Sequence, residues 1–112
     1  MDVKKRGKTM NILQGTQTRF YLGAPQTDKI QVYQVATGRS ASITQAIVTN
    51  TTDTEAKLTL TINTIDVLRN YNIAAGQTEV LDIFVVLQDG DTVSLQQDTT
   101  NALNVTLNGS VA

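Results

Sequence analysis

From Lys57 to Asn63 the chain alternates without a fault: Leu58, Leu60 and Ile62 point one way, Lys57, Thr59, Thr61 and Asn63 the other. A hydropathy period of two marks a strand with one face on a core and one in water. Just upstream, ITQAIVTN from Ile43 to Asn50 reads as a second strand. The polar run Thr51–Glu55 between the two reads as a hairpin loop. The rest of the chain follows the same pattern, which predicts an all-β domain.

Taken in order, residues 1–18 show no periodicity and read as an extended arm. Arg19–Leu22 is a short strand candidate, followed by a turn around Pro25, the only proline. Ile30, Val32 and Val35 mark the next strand, which Gly38 ends. After the Ile43–Ile65 pair, the segment Asp66–Asn72 is too short for a stable helix. It reads as a bent connection into a short strand at Tyr71–Ala74. Glu79–Leu87 is apolar on both faces: Leu81, Ile83, Val85 and Leu87 on one, Val80, Phe84 and Val86 on the other with Asp82 among them. Asp89-Gly90 is a tight-turn dipeptide. Thr92–Gln97 places Val93 and Leu95 inward, and Leu103, Val105 and Leu107 form a last strand before Gly109. The expected architecture is a single antiparallel β-sandwich, jelly-roll-like, of seven or eight short strands over residues 19–112.

A faint internal echo pairs Ala36-Thr37-Gly38 before one long strand with Ala74-Ala75-Gly76 before another. Two copies do not make a solenoid. The reading is one equivalent strand per sheet, each entered through the same turn.

Composition removes most chemistry. The 112 residues contain no Cys and no His, which excludes thiol nucleophiles, disulfides, Cys/His zinc sites and His-based triads. Charge is unevenly placed: Lys4, Lys5, Arg6 and Lys8 stand against Asp2, so the first ten residues carry +3 and the remainder −4 of a net −1. Four cations without aromatics are a weak nucleic-acid footprint. They fit better a solvated tail, or a peptide that pins the subunit to an acidic neighbour, so no nucleic-acid partner is expected. After the basic start only Met10, Ile12 and Leu13 precede Gln14, well short of a signal peptide's apolar segment. No stretch approaches a membrane span. The expectation is a soluble protein made in a cytoplasm, with no membrane partner.

The two Gly turns and their strands also carry a resemblance. The segments ATGRSASITQAIVTNTTDTEAKLTLTI and IAAGQTEVLDIFVVLQDGDTVSLQQDTTNALNVTLNGSV resemble the small β-sandwich modules of tailed-bacteriophage virions. In those modules a P-A-G-x-T turn precedes an I-x-x-I-x-V-x-N-T strand, and a second such turn, followed by V-L-D, precedes L-x-x-G-D-T-I. The likeness covers residues 30–111; Ala36-Thr37 and Ala74-Ala75 stand where Pro-Ala is usual. It implies a sandwich fold and a virion location, on tail, fibre or head accessory proteins.

Candidate sites are few. Asp89, Asp91 and Asp98 could offer oxygen ligands to a hard cation, but lack the spacing of a dedicated calcium loop; turn roles are expected. Asp53 and Glu55 read as solvated. Asp82, within an apolar strand, would need a partner if buried, with Arg39, Arg69 or a turn amide as candidates. Asn50, Asn104 and Asn108 open chance glycosylation sequons. Tyr21, Tyr33 and Tyr71 read as core and edge packing rather than a sugar platform. Val80, Phe84 and Val86, extended by Ala46 and Val48 on the earlier strand, would form an apolar patch of the kind that marks an interface. The expected function is a non-enzymatic virion structural protein, with no metal or cofactor. It would dock on other virion proteins and on itself as a cyclic homo-oligomer, through the patch and the arm residues Lys4, Lys5, Arg6 and Lys8. A host-surface module binding glycan or protein is the alternative.

Overall fold

The computed structural model describes residues 15–112, which form eight strands and no helix. They are β1 (Thr16–Gly23), β2 (Ile30–Gln34), β3 (Ala41–Asn50), β4 (Ala56–Ile62), β5 (Ile65–Ile73), β6 (Thr78–Leu87), β7 (Thr92–Gln97) and β8 (Leu103–Val111). Two four-stranded antiparallel sheets result, ordered β1-β8-β3-β6 and β2-β7-β4-β5. The pairs β4–β5, β3–β6, β2–β7 and β1–β8 are nested. The chain is therefore one long hairpin, with its tip at Asn63-Thr64, rolled up so that β3 also meets β8 and β4 meets β7. This is jelly-roll topology, two Greek keys in a double sheet. The expected all-β sandwich is the fold.

The interior is filled by the faces that alternation marked. Leu58, Leu60, Val93, Leu95, Val105 and Leu107 are buried, joined by Phe20, Ile43, Ile73, Leu87 and Leu103. Burying each large side chain contributes about 1.5–3 kcal/mol. Ile62, Leu81, Ile83 and Val85 are only partly buried.

Several local expectations are corrected. The strands flanking Thr51–Glu55 are not a hairpin: β3 and β4 lie in different sheets, and the loop crosses between them. Asn50 supports the crossing from within the core. Its Nδ2 donates to Thr54 O at 2.8 Å and Ile73 O at 2.9 Å, while its Oδ1 accepts from Thr52 N at 2.9 Å. The true hairpin is β4–β5, where Asn63 takes φ 57° and β5 occupies the segment read as a bent connection. Asp89-Gly90 likewise turns the chain between sheets. The two echoed turns are alike, with Arg39 N on Ala36 O at 3.0 Å, Gln77 N on Ala74 O at 3.1 Å, and φ of 80° at Gly38 and 68° at Gly76. A positive φ at the third turn residue favours Gly. However, β3 and β6 are neighbours in one sheet, not one per sheet. Residues 16–18, read as arm, belong to β1, and β8 runs through Gly109 to Val111.

Thr59 and Thr61, expected in water, are buried. Residues 24–29 cross the outside of their sheet, held by Gln96 Nε2 on Thr27 O at 2.8 Å, Gln97 N on Gln26 O at 3.0 Å and the buried Gln97 amide on Pro25 O. Thr61 Oγ1 then donates to Asp66 at 2.7 Å, and Thr59 Oγ1 accepts from Asn70 N. The chain covers this sheet itself. Among the described residues no such cover lies over β6.

Candidate interaction surface

β6 is an edge strand ten residues long, and its outer face carries Val80, Phe84 and Val86 at 56%, 74% and 54% exposure. The three share one face of the strand, as alternation places them. Its inner face is also incompletely covered: Leu81, Ile83 and Val85 stay half-buried, while Ala41, Ile43, Ala46 and Val48 of neighbouring β3 are buried. Across the interior β1 contacts β2 and β3 contacts β5, so the edges β6 and β5 lie on the same side of the sandwich. Five of the seven exposed large apolar side chains among the described residues sit on those two strands, Ile65 and Val67 being the β5 pair. Apolar exposure is thus concentrated along one open side, as at an interface. A long apolar edge with free backbone groups is also a template for another strand.

The patch does not extend to Ala46 and Val48, which are fully buried in the core. The cause is an irregularity that alternation could not reveal. β3 pairs Ile43 with Val85 but Gln45 with Asp82 on one side, and Ile43 with Gly109 but Gln45 with Asn108 on the other. β1 slips against β8 between Arg19 and Tyr21. All three ladders of the sheet therefore change register at nearly the same level. Past that level β3 swaps which residues face inward. A bulge bends its strand and adds twist; here the bends line up into a crease across the outer face.

The crease is an open cleft of about 580 Å³ lined by Gln17, Thr18, Arg19, Thr44, Gln45, Asp82, Asn108 and Gly109. Its walls are mostly polar, and Asn108 Nδ2 donates to Gln45 Oε1 at 3.2 Å. Asp82 is exposed there, so it needs none of the buried partners the sequence suggested. Arg39 instead donates through Nε to Ala112 O at 2.7 Å. Gly109, which the sequence places after the last strand, lies inside β8, and a glycine within a strand is the kind of signal that marks such an irregularity.

The turn carboxylates are each engaged by backbone or side-chain donors. Asp89 accepts from Gly38 N at 2.7 Å, Asp98 from Lys57 N at 2.8 Å, and Asp91 from Gln88 N at 2.8 Å and Asn63 Nδ2 at 3.0 Å. The Asn63 bond, then the Gln88 amide, hold the Asp91 carboxyl below the ordinary carboxylate range. The Thr61 hydroxyl, aided by Lys29, does the same for Asp66. Among the described residues no three acidic, His or Cys side chains come together. Glu55 meets Lys57 at 3.4 Å, and Tyr33 packs edge-on against Phe20 with ring centroids 4.7 Å apart. Tyr21 and Tyr71 are half-buried, and burial raises the Tyr21 phenol. Asn50, as a core residue, presents no acceptor to glycosylation. Lys4, Lys5, Arg6 and Lys8 lie outside the described residues. Compared with protein-family models, curated proteins and solved structures, the chain has no significant match.

Proposed function

We propose that this chain is a non-enzymatic structural protein of a tailed-bacteriophage virion. It forms a homo-oligomer through the open side of the sandwich and docks on neighbouring tail or capsid proteins, with Lys4, Lys5, Arg6 and Lys8 as a second contact. One observation carries the reading: Val80, Phe84 and Val86 stand bare on a ten-residue edge strand whose inner face is itself half-covered. A second copy suits this edge. Antiparallel pairing of two β6 strands centred on Ile83 would set Val80 against Val86 and Asp82 against Phe84, so no two like charges face each other. The same contact would continue the half-covered stripe of Leu81, Ile83 and Val85 into its counterpart. The virion location is supported by the motif resemblance over residues 30–111, and the jelly roll agrees with it.

Mass measurement in solution tests the assembly. The parent is expected to be oligomeric, and Phe84→Asp is expected to give a smaller, fully folded species. A chain lacking residues 1–14 reports separately on the arm. A parent that stays monomeric at every concentration overturns the reading.

A further inference from the structure

We propose that the crease across the β1-β8-β3-β6 sheet binds a neutral saccharide. This inference uses the polar cleft and not the apolar stripe, and shares with the assembly reading only Asp82, which the β6 pairing would set beside Phe84 of the second copy. The cleft crosses all four strands, a width of about 14 Å at ordinary strand spacing, which accommodates a short oligosaccharide. Its charged lining is one Arg19 and one Asp82, and the two ion pairs among the described residues, Lys29–Asp66 and Lys57–Glu55, involve neither. Gln17, Thr18, Thr44, Gln45 and Asn108 add hydroxyl and amide groups that both donate and accept.

That set discriminates among ligands. The lining holds one charge of each sign, on opposite edge strands, and so offers neither an anion nor a cation a cluster of opposite charge. A hydrocarbon would bury little against polar walls while stripping them of water. Saccharide hydroxyls suit the set: each is donor and acceptor, so a chain that spans the crease can give to the Asp82 carboxylate at its β6 end and accept from the Arg19 guanidinium at its β1 end. Such charge-assisted hydrogen bonds are the stronger kind. The Asn108–Gln45 hydrogen bond engages one end of each amide, which fixes both planes and directs Gln45 Nε2 and Asn108 Oδ1 as a donor–acceptor pair. The cleft is also built on strands locked by ladders on both sides at β8 and β3, which keeps these groups in place without a ligand.

The test is an amide-shift NMR titration of the full chain with a panel of neutral oligosaccharides, including maltotetraose, cellotetraose and chitotetraose, and a heparin-derived tetrasaccharide as the charged control. At least one neutral member is expected to shift the amides of Arg19, Thr44, Gln45, Asp82, Asn108 and Gly109. Asp82→Ala and Arg19→Ala are each expected to weaken that binding about tenfold. Both side chains are exposed, so unfolding midpoints should match the parent; Gln45→Ala is a third variant if either fails to fold. Silence across the neutral panel overturns the proposal. So do shifts confined to another face, binding indifferent to these variants, or binding of the charged control alone. The mass of the same samples reports on assembly whatever the titration shows.

Discussion

Gly109 shows how much of this sheet hangs on one hydrogen atom. A Cβ built there would lie 1.8 Å from Ser42 O and 2.7 Å from Phe20 Cε2. The first of these is backbone of the neighbouring strand and cannot swing aside. Gly109→Ala is therefore expected to cost roughly 1–3 kcal/mol or more, as forced overpacking does, measured by denaturant unfolding. Asp91 makes a different, pH-dependent contribution. Its carboxyl is held below the ordinary range by Asn63 and the Gln88 amide, so its unfolded-state value is the higher one. Stability from this group is then present above about pH 4 and is lost as pH falls through the folded-state value. Asp91→Asn is expected to lower the unfolding midpoint at neutral pH, and the gap from the parent should close in acid. A gap that stays constant with pH would refute the assignment.

At the scale of elements, alternation reported faces well and partners poorly. Leu58, Leu60, Val93, Leu95, Val105 and Leu107 were legible because a period of two needs only the local chain. Which strand pairs with which depends on the crossing loops, and Thr51–Glu55 has the same polar composition whether it closes a hairpin or bridges two sheets. The bare stripe on β6 was legible because apolar residues on both faces of a strand demand two covers. The crease was not. Arg19, Gln45 and Asn108 are far apart in sequence, and Thr44 looks like any outward threonine. Yet Thr44 sets the phase of β3: before it Ala41 and Ile43 face the core, after it Ala46, Val48 and Asn50 do. Deleting Thr44 would restore strict alternation, with Ala41, Ile43, Ala46, Val48 and Asn50 all inward. That variant is expected to unfold cooperatively with a shifted midpoint, because its register against β6 and β8 must change, whereas Thr44→Ala should unfold as the parent does. Thermal scans on the two variants separate these outcomes.

For the molecule as a whole, the nested pairing places residues remote in sequence side by side. Thr16 lies opposite Val111, and Gly15 packs on the Val111 backbone and Ala112 Cα. The order in which the strands are threaded is thus separable from the order in which they touch. A circular permutant of residues 15–112, joined from Ala112 to Gly15 through a short flexible linker and reopened between Asn63 and Thr64, would keep every ladder and only lose the β4–β5 turn. It is expected to give the parent's far-ultraviolet spectrum with a modestly lower unfolding midpoint. A permutant that stays unfolded would mean that the Asn63 turn nucleates the roll. If it folds, the two reopened ends lie at the Asn63 tip, beside Asp91 and Thr92, rather than at the β1–β8 edge. A cargo domain fused there would be carried at a different corner of the sandwich from one fused at Ala112, with the β6 stripe left clear.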